Sequence, residues 1–196
     1  MKRTLLLCFL VSHLAGASDN DDRFRPDPWQ LNARVGFGVS LPSTAANSDK
    51  RFPLTAGLGV DYFASRVLGV FLAPEILTRG FSQGGKSATA PFLDLLLGVS
   101  VRLGARWFAE DSTSLFRFAA FYSLPLSPYS SAVSLPFGQG SRGYFGITFL
   151  QDILFPVSEH GKIGFSVGGK VGLGDSTSGG DIKFYEAVFT FVAALR

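Results

Sequence analysis

Residues 68–79 read LGVFLAPEILTR and residues 93–103 read LDLLLGVSVRL, and these two stretches decide the fold. In both stretches apolar residues recur at every second position, and side chains that alternate in this way lie on opposite faces of a β-strand. The two stretches therefore predict a pair of strands, joined by the polar, Gly-rich link 80–91. The apolar positions are Leu68, Val70, Leu72, Ile76, Leu93, Leu95, Leu97, Val99, Val101 and Leu103; the positions between them include Gly69, Ala73, Glu75, Arg79, Asp94, Gly98, Ser100 and Arg102.

The polar positions of these strands indicate which face lies inside. A soluble barrel turns its apolar face inward, whereas a membrane barrel turns that face to lipid and keeps polar side chains in its lumen. Here the polar face mixes small residues with isolated charges of both signs, which suits a narrow lumen. Each strand also has about ten residues, the length that a tilted strand needs to cross a bilayer.

The bulk composition favours the same class of protein. The chain has 196 residues, enough for one domain, and is 46% hydrophobic with 23 Gly and 20 Phe against 17% charged residues. That charge content is low for a soluble domain. The formal net charge is only +3 and no basic cluster is interleaved with aromatic residues, so nucleic-acid binding is not predicted.

The N-terminus resembles a secretory signal peptide, predicted over residues 1–17. Lys2 and Arg3 precede an apolar run over 4–14, and residues 15–17 supply small side chains for cleavage. The alternative is an uncleaved anchor, which the short length of the apolar run disfavours. Cys8, the only cysteine, lies inside this run, so the mature protein is predicted to have neither a disulfide nor a lipid anchor.

The remainder of the chain repeats the two-residue alternation. Residues 18–30 are predicted to be a flexible lead-in and 31–196 an outer-membrane β-barrel, because a hydrophobic exported chain without a membrane helix must satisfy its backbone in lipid by closing a sheet. The fold class is all-β, an eight-stranded antiparallel up-and-down transmembrane β-barrel. Its strands are predicted at about 31–41, 54–63, 68–79, 93–103, 113–124, 143–155, 162–174 and 182–195.

The connections between these strands also alternate in length. Those after strands one, three, five and seven tend to be longer, as the external loops of outer-membrane barrels are. With the N-terminus in the periplasm, Trp29, Tyr62, Trp107 and Phe155 all fall at periplasmic strand ends, where an aromatic girdle belongs.

Charged residues on the polar face of the predicted strands form a balanced set. An eight-stranded barrel has an interior just wide enough for side chains, and charges buried there must pair. We therefore predict a structural charge network in the lumen; the alternative is that these charges face water on a soluble sandwich. The set is Arg34, Asp61, Glu75, Arg79, Asp94, Arg102, Arg117, Asp152, Lys170 and Glu186.

Two short strings match catalytic motifs, and both are predicted to be accidental. Residues 80–87 read GFSQGGKS, a formal phosphate loop, but a strand rather than the required helix follows. Residues 164–168 read GFSVG, the nucleophile-elbow string, but no His follows Ser166. The only His beyond the signal is His160, so no enzyme activity, metal site or cofactor is predicted.

The segment 72–77, LAPEIL, then a Gly-containing loop and then 92–97, FLDLLL, resembles the PorT-type outer-membrane β-barrel domain family. With the Gly-rich first strand, the likeness covers most of the mature chain. It implies a small outer-membrane barrel of the general OmpA/OmpX shape and says little about activity. One departure is the C-terminus, where residues 191–196 read FVAALR instead of ending on the aromatic residue that the insertion machinery usually reads.

The sequence as a whole predicts a non-enzymatic barrel in the outer membrane of a Gram-negative-type bacterium. Its expected partners are outer-membrane lipid, the barrel-insertion machinery and an unidentified surface partner that contacts Tyr129 and Phe137 in the loop 125–142. Two alternatives stay open: a narrow channel for small solutes, and a soluble exported barrel that binds an apolar ligand as lipocalins do.

Overall fold

A computed structural model describes residues 28–42, 52, 54–83, 86–104, 112–126, 144–173 and 183–195, and these residues form eight β-strands. Among them there is no helix long and apolar enough to cross a membrane. The strands are β1 (Trp29–Pro42), β2 (Leu54–Phe63), β3 (Leu68–Gln83), β4 (Lys86–Gly104), β5 (Thr113–Pro125), β6 (Tyr144–Pro156), β7 (Gly161–Leu173) and β8 (Lys183–Leu195).

The strands close into a single antiparallel barrel in which each strand pairs with the next and β8 pairs with β1. The predicted fold class is therefore confirmed. One line of paired residues runs through Leu31, Val60, Leu72, Leu97, Ala120, Ile147, Val171, Tyr185 and Leu41. This line returns to β1 ten residues beyond its start, a shear that tilts eight strands by about 40° from the barrel axis.

The barrel has two different ends. The turn end carries the start of β1, the end of β8, the four-residue connections 64–67 and 157–160, and the connection 105–112. Serine side chains close both turns: Ser65 Oγ accepts the Leu68 amide at 2.9 Å, and Ser158 Oγ accepts the Gly161 amide at 2.9 Å. The opposite end, called the loop end, carries the connections 43–53, 84–85, 126–143 and 174–182.

The outer wall is predominantly apolar, as the alternation predicts, with Gln151 of β6 and Ser114 of β5 as polar residues on this face. Directly paired aromatic residues pack across it, with ring centroids 4.9 Å apart for Phe118 and Phe149 and 4.7 Å apart for Tyr122 and Phe145. Trp29 and Tyr62 pack at the turn end with centroids 4.8 Å apart. Exposed apolar side chains of the wall include Leu31, Val35, Leu54, Leu58, Val70, Leu72, Ile76, Leu97, Val99, Phe118, Phe145, Ile147, Ile163, Val167, Tyr185, Phe191 and Leu195.

The lumen holds the side chains of the opposite parity, and it is not uniformly polar. One buried apolar cluster fills the β3–β5 side and comprises Phe71, Ala73, Leu77, Phe92, Leu96, Ala119 and Phe121. A second closes the turn end and comprises Phe63, Leu115, Leu154, Val192 and Ala194. Small residues make room for these side chains: a Cβ at Gly146 would collide with the Phe121 ring.

The predicted boundaries differ from the structure by more than one residue at the start of β1 and at both ends of the β3–β4 link. β1 begins at Trp29 rather than 31, because Trp29 and Gln30 already pair with Tyr62 and Asp61 on β2. The predicted link 80–91 is largely strand: β3 and β4 pair as far as Gln83 and Lys86. The alternation does not reveal these strands, because residues 79–83 and 86–90 pair only with each other in the described structure. They form a two-stranded ribbon at the loop end, where no lipid requires alternation.

Candidate functional site

The candidate site is the charged interior, which the two-residue period of the strands places in the lumen. Nine of the ten charged residues assigned to the polar face are buried, none more than 6% exposed: Arg34, Asp61, Glu75, Arg79, Asp94, Arg117, Asp152, Lys170 and Glu186. They form two groups at different heights.

The turn-side group comprises Arg34, Asp61, Arg117 and Asp152, from β1, β2, β5 and β6. Arg34 Nη2 lies 2.8 Å from Asp152 Oδ2, and Arg117 Nη2 lies 2.8 Å from Asp61 Oδ2. Arg117 Nη1 also contacts Asp152 Oδ2, so one guanidinium joins both carboxylates. The group carries two charges of each sign and is neutral.

Neutral donors complete the shell of Asp61. Asn32 Nδ2 donates to its Oδ2 at 2.9 Å, and Ser100 Oγ donates to its Oδ1 at 2.7 Å. The guanidinium of Arg117 lies over the Phe71 ring, 5.5 Å from the centroid. Both carboxylate oxygens of Asp61 therefore accept hydrogen bonds, from Arg117, Asn32 and Ser100.

The loop-side group comprises Glu75, Arg79, Asp94, Lys170 and Glu186. Arg79 donates through two nitrogens to each of two carboxylates: to Asp94 at 3.0 and 2.9 Å, and to Glu186 at 2.6 and 3.0 Å. Lys170 Nζ lies 2.6 Å from Glu75 Oε2 and 3.0 Å from Asp94 Oδ2. Bidentate arginine contacts fix geometry as well as charge, so this group ties β3, β4, β7 and β8 together.

Arg102, the tenth predicted residue, lies at the turn end and is only half-buried. It donates to Gln30 Oε1 at 3.3 Å, and its guanidinium lies 3.6 Å from the centroid of the Phe63 ring. The structure therefore places it against the apolar cluster that closes this end, rather than inside one of the two charged groups.

The space left inside the barrel is small where it can be measured. A cavity of about 10 Å³ lies at the loop end, lined by Gly38, Thr55, Leu77, Lys170, Glu186 and Val188. That volume holds about one water molecule.

The two catalytic strings have no catalytic geometry. Ser166 lies in the middle of β7, 1% exposed, rather than on a strand-to-helix turn. The string 80–87 spans the end of the β3–β4 ribbon. In the part of the chain that the structure describes, no group of three or more His, Cys, Asp or Glu side chains could hold a metal ion. Tyr129 and Phe137 lie outside the described residues.

Sequence reasoning missed the neutral members of the site. Asn32, Ser100 and Ser123 lie on the same parity as the charges and bind them; Ser123 Oγ donates to Asp94 Oδ1 at 2.5 Å. Parity already places Asn32 and Ser100 on the polar face, but the predicted network included charged residues only. Which carboxylate each one binds depends on the shear of the barrel, which no local pattern reveals.

Comparison with solved structures finds the same fold in small outer-membrane proteins. The attachment invasion locus protein Ail of Yersinia pestis, solved with the heparin analogue sucrose octasulfate, is 16% identical over 85% of this chain and 99% of its own, with a TM-score of 0.51. Neisserial surface protein A is 12% identical over 86% of this chain and 96% of its own (TM-score 0.52). OprG of Pseudomonas aeruginosa gives the same values.

These likenesses define the class of fold: a small eight-stranded barrel of the outer-membrane type. No family model matches the sequence, and no curated protein matches it.

Proposed function

We propose that this chain is an integral protein of a bacterial outer membrane, with a closed lumen, that acts without catalysis. Its role is to stabilise the envelope or to make surface contacts at the loop end. The single observation that carries the proposal is the inversion of the two faces: the outer wall is predominantly apolar, while the most buried side chains include Arg79, Arg117, Asp61 and Asp152.

The dimensions of the wall fit this location. Ten residues per strand at a tilt of about 40° give a height of about 25 Å, the height of the apolar band of outer-membrane barrels. Trp29 and Tyr62, both exposed, lie at the lower edge of this band, where aromatic residues of such proteins meet the lipid headgroups.

The lengths of the connections at the two ends of the barrel indicate which end faces the periplasm. The turn end has two four-residue turns and the eight-residue connection 105–112, whereas three of the four connections at the loop end are longer: 43–53, 126–143 and 174–182. Because outer-membrane barrels have short periplasmic turns and longer outer loops, the loop end is the outer one in this proposal. The β3–β4 ribbon extends beyond the wall at the same end. The proposed contact residues Tyr129 and Phe137 belong to the connection 126–143, which also starts and finishes there.

The two alternatives fit the interior less well. A channel needs an open path, and here the ion pairs Lys170–Glu75 and Arg117–Asp61 cross the lumen at two heights above an apolar cluster. A lipocalin-like protein keeps an apolar cavity inside, whereas the described lumen has charged groups and its apolar wall is outside.

Cysteine labelling on intact cells tests the location and the orientation together. Because Cys8 lies in the predicted signal peptide, Ser130→Cys and Glu159→Cys each introduce a single reporter thiol, one at each end. A membrane-impermeant maleimide is expected to label the Ser130→Cys variant on intact cells and the Glu159→Cys variant only after the outer membrane is permeabilised. The reverse pattern would overturn the orientation, and recovery of both variants in the soluble periplasm would overturn the membrane assignment.

Planar-bilayer recording tests the closed lumen separately. The refolded protein is expected to give no resolved current steps. Regular steps from the natural chain would favour the channel.

The proposal includes membership of the PorT-type domain family and insertion by the barrel-insertion machinery. The C-terminal strand supports insertion: β8 pairs along its length with both β7 and β1, and Phe191 points outward at 60% exposure. Depletion of the insertion machinery is expected to leave the protein unfolded in the periplasm.

A further inference from the structure

Three polar residues form one continuous row on the lumen side of β6, β7 and β8. Asp152 pairs directly with Ser166, and Ser166 pairs directly with Thr190. The three are 0%, 1% and 4% exposed. Residues directly opposite each other across strands have Cβ atoms about 5 Å apart, so the polar atoms of the row are neighbours.

Each member of the row has a buried oxygen atom without a hydrogen-bond partner: Asp152 Oδ1, Ser166 Oγ and Thr190 Oγ1. The contacts of Asp152 explain why its Oδ1 has no partner. Arg34 and Arg117 both contact Oδ2 of this carboxylate, and neither uses Oδ1. Leaving such an atom unsatisfied in a buried site is costly, and three in one row point to a shared partner rather than to three separate defects.

The chemistry of the row selects the partner. A carboxylate oxygen only accepts, so the partner must donate to Asp152 Oδ1, whereas the two hydroxyl groups can each donate to it or accept from it. Water meets both conditions, because it donates and accepts. A cation is disfavoured because two guanidinium groups already lie against Asp152. The residues flanking Ser166 on the same face of β7 are Gly164 and Gly168, which place no side chain over it.

We propose that this row is a binding site for ordered water, which donates to Asp152 Oδ1 and bridges it to the hydroxyl groups of Ser166 and Thr190. The water anchors the turn-side group to the β7–β8 side of the wall, which contributes no charged residue to that group. The inference rests on the interior alone and does not depend on the proposed function.

A double-mutant cycle tests the bridge. Ser166→Ala and Thr190→Val each remove one hydroxyl group at little change in volume. Each is expected to lower the urea midpoint of unfolding in detergent, and the second substitution is expected to add less than half of its own shift when the first is present. The matched control pairs Ser166→Ala with Ser100→Ala, whose hydroxyl bonds directly to Asp61; those two shifts are expected to add.

Nuclear magnetic resonance of the natural chain observes the water directly. Cross-relaxation between the Thr190 methyl protons and a long-lived water is expected, and it is expected to be lost in the Ser166→Ala, Thr190→Val double variant. Additive midpoints would overturn the inference, as would absence of the cross-peak, which would mean that the hydroxyl groups bind Asp152 themselves. A midpoint that falls when choline replaces sodium would also overturn it in favour of a cation.

Discussion

The outer wall and the lumen are built from the same strands, and they obey opposite rules. On β4, Leu95 and Leu97 are 40% and 65% exposed, while Asp94 and Ser100, on the other face, are fully buried. In a soluble protein that pattern would be a folding error. Here it shows that the surroundings of each face, and not burial itself, decide which residues it carries: the wall matches lipid, and the lumen matches its own charges.

The two faces also differ in whether their contacts contribute to stability independently of each other. Wall residues contribute one at a time, through apolar area and pairwise ring contacts. Lumen charges depend on each other, because removing one partner leaves another charge buried without compensation. Substitutions on the two faces should therefore lower the free energy of unfolding by different amounts. On the wall, that amount should depend on the height of the residue in the membrane.

The largest effect is expected for Arg117→Gln. This change leaves Asp61 and Asp152 in the lumen without the guanidinium that joins them, and should lower the free energy of unfolding by about 3–5 kcal/mol. Denaturant unfolding in micelles measures it. Glu159→Gln, in an exposed turn, is the control and should change stability by less than about 0.5 kcal/mol; equal effects would contradict the lumen assignment.

On the wall, the cost of a charge should depend on its height. Leu97→Arg lies near mid-height and should cost about 2–4 kcal/mol in lipid vesicles, whereas Leu195→Arg, at the turn end, should cost about 0–1 kcal/mol. Both positions are well exposed, at 65% and 59%. If reversible folding into vesicles gave the same small cost for both, the wall would not face lipid.

A smaller effect tests the packing of the lumen. Gly146→Ala places a methyl group against the Phe121 ring and should destabilise the barrel by about 1–3 kcal/mol. A second change, Phe121→Leu, should recover part of that loss because it removes the contact with the ring, whereas the contact of the new methyl group with the Val171 carbonyl oxygen remains. Failure of the second change to recover any stability would mean that Gly146 is required for another reason.

The smallest of these effects is expected for Arg102→Gln. This side chain is half-buried, and its hydrogen bond to Gln30 and its position over Phe63 are together worth about 1 kcal/mol. In thermal unfolding in micelles, the midpoint temperature of the Arg117→Gln variant should be well below that of the Arg102→Gln variant. The reverse order would place Arg102 inside a charged group.

The sequence was sufficient for the strands and for their faces, because lipid on one side and a packed lumen on the other impose a strict period of two. It could not identify the partners. Arg34 binds Asp152, 118 residues away and across the barrel, and that pairing depends on the shear and on the reach of the side chain. The alternation also assigned Arg102 to the charge network with the nine buried residues, although Arg102 lies at the turn end of the lumen.

The β3–β4 ribbon shows strands that the two-residue alternation does not predict. Residues 80–91 contain Gly, Ser and Thr without alternation and were predicted to be a link, yet most of them pair as strands. Hydrogen bonding between two strands requires no apolar pattern; only burial of one face does. The apolar alternation therefore ends where the ribbon extends beyond the barrel wall, although the two strands continue.

The most direct test of the inverted barrel is the gel mobility of protein from the outer-membrane fraction, compared unheated and boiled in the same detergent. A barrel held by a charged lumen and an apolar wall should stay folded in detergent, so the unheated sample should migrate differently from the boiled one. Recovery in the soluble periplasm with no shift on boiling would contradict the assignment of both faces.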